Sequence, residues 1–176
     1  MSPATPDSKP SHYTASFYKF VDWPDFADLQ KPLQALCDAR QVKGLVLLAA
    51  EGINGSLSGK AEDVLAVLAH LRLDPRLHDL THKAAWASRP PFFRMKVRLK
   101  KEIVTMGMPT IHAAQMAGTY VKPADWNALI SDPQVVVIDT RNAYEVALGT
   151  FAHAINPQIE NFAQLPAWLQ QALLEP

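Results

Sequence analysis

An α+β fold is predicted by three observations on this 176-residue sequence. Short aromatic and β-branched runs alternate with helically spaced apolar residues, in the order β-α-β-β-α-β across residues 14–99. A continuous apolar run, VVVI at 135–138, stands apart in the last third and matches a parallel strand buried on both faces. Hydrophobic residues make up 48% of the chain and charged residues 19%, which is enough apolar material for a core and excludes wholesale disorder, collagen and coiled coil.

Residues 14–21 (TASFYKFV) form the first strand. Asp22-Trp-Pro-Asp25 opens a helix, and Phe26, Leu29, Leu33, Leu36 and Cys37 carry its apolar stripe to about Arg40. Pro32 lies inside that span, so the helix can start later than Asp25. Residues 45–50 (LVLLAA) read as a buried strand, Glu51 to Gly55 as turn chemistry with an Asn-Gly hairpin signal, and 56–58 as the returning strand. Ser58 or Gly59 then caps a helix with Glu62 and Asp63 in its first turn and Val64, Leu65, Leu68 and Leu71 on its apolar face. After a loop bearing Asp74-Pro75 and Pro90-Pro91, residues 92–99 are the last strand. This order is the ferredoxin-like plan: two helices on one face of a four-stranded antiparallel sheet, with the other face open to binding.

The organisation read from composition is a disordered tail at 1–12, a ferredoxin-like domain at 13–101, a linker at 102–122 and a partial α/β unit at 123–176. In that last unit a short helix runs from Pro123 to Ile130, and the VVVI strand ends at Asp139-Thr-Arg141. A helix follows around 144–148, then a short strand at 154–157. A last segment, 158–174, is helical in part and interrupted by Pro166.

Zero net charge hides an asymmetry. Residues 1–122 hold 16 Lys/Arg against 11 Asp/Glu, whereas 123–176 hold one basic residue, Arg141, against six acids. From Thr81 to Lys101 there are seven basic residues and no acid. Strand alternation puts Phe93, Met95, Val97 and Leu99 on one face and Arg94, Lys96, Arg98 and Lys100 on the other, with Lys101 at the end. Cations about 6.6 Å apart in a row repel one another. A phosphate backbone would relieve that repulsion, so RNA or another polyanion is one reading and a solvated edge strand is the other.

Other constellations are weaker. Glu51, Gly52, Asn54 and Gly55 form a Gly-rich stretch that lets another backbone approach, or a plain tight hairpin. No phosphate-binding P-loop pattern is present. Cys37, the single cysteine, lies on a helical apolar stripe and reads as a core thiol. The six histidines show no helical metal-binding pair, and no metal is expected. Asp139 and Arg141 follow the VVVI strand, where open α/β sheets build sites; a structural ion pair is the simpler role. No apolar run is long enough to span a membrane and no secretory leader is read at the N-terminus, so a cytoplasmic protein is expected.

Four segments together carry a family resemblance: AEGINGS at 50–56, RMKVRLKKEIVTMG at 94–107, GTYVKPADWNALI at 118–130 and VVVIDTRNAYEVALGTFAHAINP at 135–157. They resemble the bacterial tRNA uridine hydroxylases, rhodanese-domain proteins that oxygenate the wobble uridine to 5-hydroxyuridine. The resemblance implies an N-terminal acylphosphatase-like (ferredoxin-like) domain followed by the first part of an α/β rhodanese domain. It implies tRNA as partner and dioxygen as co-substrate, with no other cofactor evident. Arg94, Lys96, Arg98, Lys100 and Lys101 would hold tRNA phosphates. Glu51, Gly52, Asn54 and Gly55 would shape a loop facing the substrate. Asp139, Arg141 and Glu145 would brace the active-site loop. One departure is His153, at a position where the rhodanese signature usually has Gly. A larger one is that the family's catalytic cysteine follows a further strand, and Pro176 comes before any such motif. The chain is therefore expected to be a fragment of a longer enzyme, inactive by itself. A rhodanese-type sulfurtransferase and a non-catalytic RNA-binding module are the rival readings; the basic strand argues against the first.

Overall fold

The computed structural model describes residues 11–104 and 118–172. They fall into two compact units divided after Val104.

The first unit is α+β. Its strands are β1 (His12–Phe20), β2 (Lys43–Ala49), β3 (Gly52–Gly59), β4 (Lys83–Ala87) and β5 (Met95–Leu99), and its helices are α1 (Gln30–Ala39) and α2 (Ala61–Leu71). The sheet order is β4-β1-β3-β2-β5. The first four strands pair antiparallel in ferredoxin-like order, and β5 joins the outside of β2 in parallel. The basic run 92–99 is thus not the fourth strand of the plan. That place belongs to Lys83–Ala87, which sits at the opposite edge beside β1. Its sequence, KAAWA, has weak strand preference and little buried surface. Neighbours hold it instead: Arg72 donates twice to the Leu80 carbonyl (2.9 and 2.8 Å), and Tyr13 packs edge-on to Trp86.

Alternation decides the faces. Ala15 and Phe17 of β1 are buried, while Ser16 and Tyr18 between and after them are exposed. The buried face meets the stripes of α1 (Leu33, Cys37) and α2 (Val64, Val67, Leu68, Leu71). The chain entering α1 differs from expectation. The Val21 and Trp23 amides donate to the carbonyls of Glu51 and Ala50 (2.9 and 2.8 Å), so this stretch extends along the hairpin turn and Trp23 is buried. A 3-10 turn, Phe26–Leu29, follows, and α1 begins only at Gln30. Pro32 then lies in the first turn, where a missing amide costs no helical hydrogen bond. Lys60, not Ser58 or Gly59, stands at the start of α2, in extended conformation and with no side-chain cap.

The hairpin turn also lies earlier than the Asn-Gly signal suggested. Ala49 pairs with Gly52, so Ala50 and Glu51 are the turn, and Gly52, Asn54 and Gly55 are strand residues. The glycines are there for packing. A Cβ on Gly52 (φ +140) would lie 2.0 Å from the Lys19 carbonyl oxygen, and one on Gly55 would press on Phe17 and Val46 at 3.0 Å.

The second unit contains α3 (Pro123–Ile130), α4 (Ala143–Val146) and α5 (Leu165–Ala172). The VVVI run does not form the buried strand its composition predicts. Among the described residues it pairs at one position only, the parallel bridge Ile138–Ile155, and Val136 stays 67% exposed. A continuous apolar strand needs neighbours on both sides. Pro166 does not interrupt a helix; as the second residue of α5 it sits where proline helps a helix begin. The tail expected at 1–12 lies outside the described residues except for its end, where His12 starts β1.

Candidate nucleic-acid interface

β5 keeps the predicted two-faced character over a shorter span. Met95 and Val97 turn inward and Lys96 and Arg98 outward, but the strand starts at Met95 and Phe93 is 94% exposed, outside the apolar face. Arg94, Arg98, Lys100 and Lys101 are exposed. The backbone ladder with β2 runs past both ends of the strand: Gly44 donates to the Arg94 carbonyl (3.1 Å) and Lys100 to that of Leu48 (2.8 Å). This rigid pairing fixes the cation spacing. Lys96 is half-buried, and its ammonium pKa is lowered, first by desolvation and then by repulsion from Arg94 and Arg98. An anion laid along this row removes the repulsion.

The outer edge of β5 is closed by two side chains that sequence reading missed. Gln30 Nε2 donates to the Val97 carbonyl (3.0 Å), and the Val97 amide donates to Gln34 Oε1 (2.9 Å). Glutamines four apart lie on one helix face and mimic a neighbouring strand. Their spacing was visible in the sequence, but their target was not.

Glu51 and Asn54 act on one residue. The Ile103 amide donates to Glu51 Oε1 (2.5 Å), and Asn54 Nδ2 donates to the Ile103 carbonyl (3.1 Å). Ile103 is buried. Residues 102–104, expected to begin a linker, are thus fastened to the sheet at the end of β5, and the chain leaves the basic strand at a fixed point.

In the second unit Asp139 is the centre of a bonded cluster. Arg141 donates through Nε and Nη2 to the two carboxylate oxygens (2.9 and 2.6 Å), and Thr150 Oγ1 donates to Oδ2 (2.7 Å). Arg141 Nη2 also reaches the Gly149 carbonyl (2.7 Å). Arg141 and then Thr150 hold the Asp139 carboxyl well below the usual carboxylate range. Glu145 works one step away: with Asn142 it closes a capping box at the start of α4. The arrangement locks residues 139–150 into one loop frame. Cys37 lies in the apolar core of the first unit. Burial, helped by Asp38, pushes its thiol up to about 12, and an un-ionised thiol is a poor nucleophile. Among the described residues no three His, Cys, Asp or Glu side chains come together as a metal site, and no helix is long and apolar enough to cross a membrane.

Residues 12–103 match the family model described as UPF0176 acylphosphatase like domain. The chain belongs to this family. The UPF0176 domain covers all five strands and both helices of the first unit, the basic strand included. Among curated proteins, the tRNA uridine(34) hydroxylase of Albidiferax ferrireducens is 65% identical over 159 residues, 90% of this chain and 50% of that protein. The protein of the same name from Sinorhizobium medicae is 53% identical over 165 residues, 94% of this chain and 52% of that protein. The chain spans about half the length of the curated relatives it matches. A solved acylphosphatase from Coxiella burnetii aligns with 50% of this chain and 92% of its own, at 9% identity and a TM-score of 0.33.

Proposed function

We propose that this chain is the RNA-holding part of an enzyme that hydroxylates uridine 34 of tRNA to 5-hydroxyuridine. The observation that carries the reading is the 65% identity to a tRNA uridine(34) hydroxylase, which runs through both units. The basic face of β5 supports it chemically. Arg94, Lys96, Arg98, Lys100 and Lys101 hold phosphates and so set the register of the tRNA without reading its bases. Glu51 and Asn54 hold Ile103 and thereby the exit of the basic strand, and Gly52 and Gly55 let β3 pack closely behind them. The second unit is the first part of a rhodanese scaffold. Asp139, Arg141 and Glu145 brace the loop frame near the site of chemistry. Dioxygen is the co-substrate, the reactive cysteine is not Cys37, and the enzyme works in the cytoplasm.

The test is nucleoside mass spectrometry of tRNA from cells lacking the full-length gene. Deletion should remove 5-hydroxyuridine and nucleosides made from it. The wild-type gene should restore them, and a Lys96→Glu/Arg98→Glu version should restore them poorly. Unchanged nucleosides on deletion would sink the reading. With the purified 176-residue chain, tRNA affinity should fall with salt by roughly one log–log unit per phosphate contact.

A further inference from the structure

The strand register divides the first unit's sheet into a face packed against the helices and a second face that, among the described residues, carries Ile103 on Asn54 at one end and no helix. The positions on this second face, of which Ala49, Gly52 and Ser58 are buried, are the even residues of β1, β3 and β5 and the odd residues of β2 and β4. None of them is an acid, and four are basic: Lys43, Lys83, Lys96 and Arg98. The unit's described acids all lie on helices, turns and loops. One row of directly paired residues crosses the whole sheet: Lys83, Ser16, Ser56, Leu45 and Lys96. Four strand spacings put its two lysine positions about 19 Å apart. Between them the floor is small and hydroxylated. The Ser16 and Ser56 hydroxyls lie 2.8 Å apart, and Thr14 donates to Ser58 (3.2 Å) in the next row. Beside the floor Tyr18, 48% exposed, packs edge-to-face with Phe20 at 6.2 Å between centroids.

We infer that single-stranded RNA crosses this face along the Lys83–Lys96 row, at right angles to the strands, from the β5 cations to Lys83 on β4, with a base stacked on Tyr18. The inference rests on the phosphate-holding reading of β5 and adds a path and a far anchor. Charge selects the occupant: both ends of the row are cationic, and no acid intervenes. The hydroxyl floor offers neutral partners to phosphate and ribose, and serines and lysines are the residue types that protein–protein interfaces disfavour. A sheet with cations at its margins and an aromatic ring on its face is a surface on which single strands stack.

The test uses the 176-residue chain and a short fluorescein-labelled oligouridylate, titrated by anisotropy at several salt concentrations. Lys83 is exposed, so Lys83→Glu should leave the fold intact by circular dichroism. It is expected to lower affinity and to reduce the salt slope by about one unit. Ser16→Asp, a charge placed mid-floor, should weaken binding as well. Tyr18→Ala should lower affinity at least about fivefold. If Arg98→Glu weakens binding while Lys83→Glu and Ser16→Asp do not, the path across the sheet is wrong and the β5 reading stands. If Arg98→Glu also has no effect, both fall.

Discussion

The two units of this chain reach their conformations by different means. In the first, seventeen buried apolar side chains form one cluster between the sheet and its two helices. In the second, the described residues bury only Val146, Pro157, Ile159 and Leu165 among their apolar side chains, while Tyr120, Val136, Tyr144, Leu148 and Phe151 are more than half exposed. What organises the second unit is directional: one buried carboxylate, Asp139, with four donors from Arg141 and Thr150 around it. Apolar burial is collective and tolerates the loss of one polar bond. A bonded cluster tolerates changes of volume at a distance but not the loss of its central charge. The cations of the β5 row lie on the unit with the dense core, where their spacing is held by strand pairing.

The sharpest way to break this comparison is to cut each unit at its own support. Leu68 is fully buried in the first core. Leu68→Ala should cost about 2–5 kcal/mol in urea unfolding. It should also expose the Cys37 thiol to a thiol reagent at correspondingly lower urea. Cys37 is fully buried in that same cluster, so its labelling rate reports the first unit alone. An unchanged midpoint would show that the cluster does not carry the unit's stability.

Asp139→Asn is the matching cut in the second unit. Removing the charge from under Arg141 and Thr150 should cost about 1–3 kcal/mol. The loss should be read as faster amide exchange at 139–155, with Cys37 labelling unaffected. The same carboxylate gives a pH signature. Its pKa is depressed in the folded state, so its contribution is complete above the unfolded value near 4 and is lost as pH falls through and below that value. Protection of residues 139–150 should therefore fade in acid before that of β1 and β3 does. Simultaneous loss in both units would mean that they do not differ in the way argued.

A smaller effect sharpens the picture of the second unit. His153 has φ +62, in the left-handed region, at the position where the rhodanese signature usually has Gly. His153→Gly removes that strain and should stabilise the second unit by about 1 kcal/mol. Slower exchange at 150–155 would register it, and faster exchange would show that the imidazole contributes more than its backbone costs.

What was legible in the sequence follows the same division. Periodicity found β1, β2 and α2 because their apolar alternation is what the first core uses. It missed β4 because KAAWA is placed by pairing with β1 and by the Arg72 and Tyr13 contacts, not by its own pattern. It started α1 too early because the amides after β1 find acceptors in the turn at Ala50 and Glu51, a contact between distant residues. It took VVVI for a strand because composition reports burial preference, whereas strand formation needs partners. At the interface, the alternation of cations in 94–100 could be read directly. The grip of Glu51 and Asn54 on Ile103 could not, since those residues lie about fifty positions apart in the chain.

Gln30 and Gln34 supply the smallest prediction, and it bears most directly on the interface. They close an edge that β5 would otherwise present to solvent or to another strand. Gln34→Ala frees the Val97 amide, which water can partly satisfy, so the cost should be only about 0.5–1 kcal/mol. The local effect should be larger than the global one: the Val97 amide should exchange much faster while Leu48 and Ile53 stay protected. A loosened β5 would also let Lys96 and Arg98 move apart, which weakens their joint hold on a phosphate chain without removing any charge. A drop in RNA affinity at unchanged salt slope would show that the cations act through fixed spacing. An unchanged affinity would show that charge alone is enough, and that the rigidity of β5 serves the fold and not the ligand.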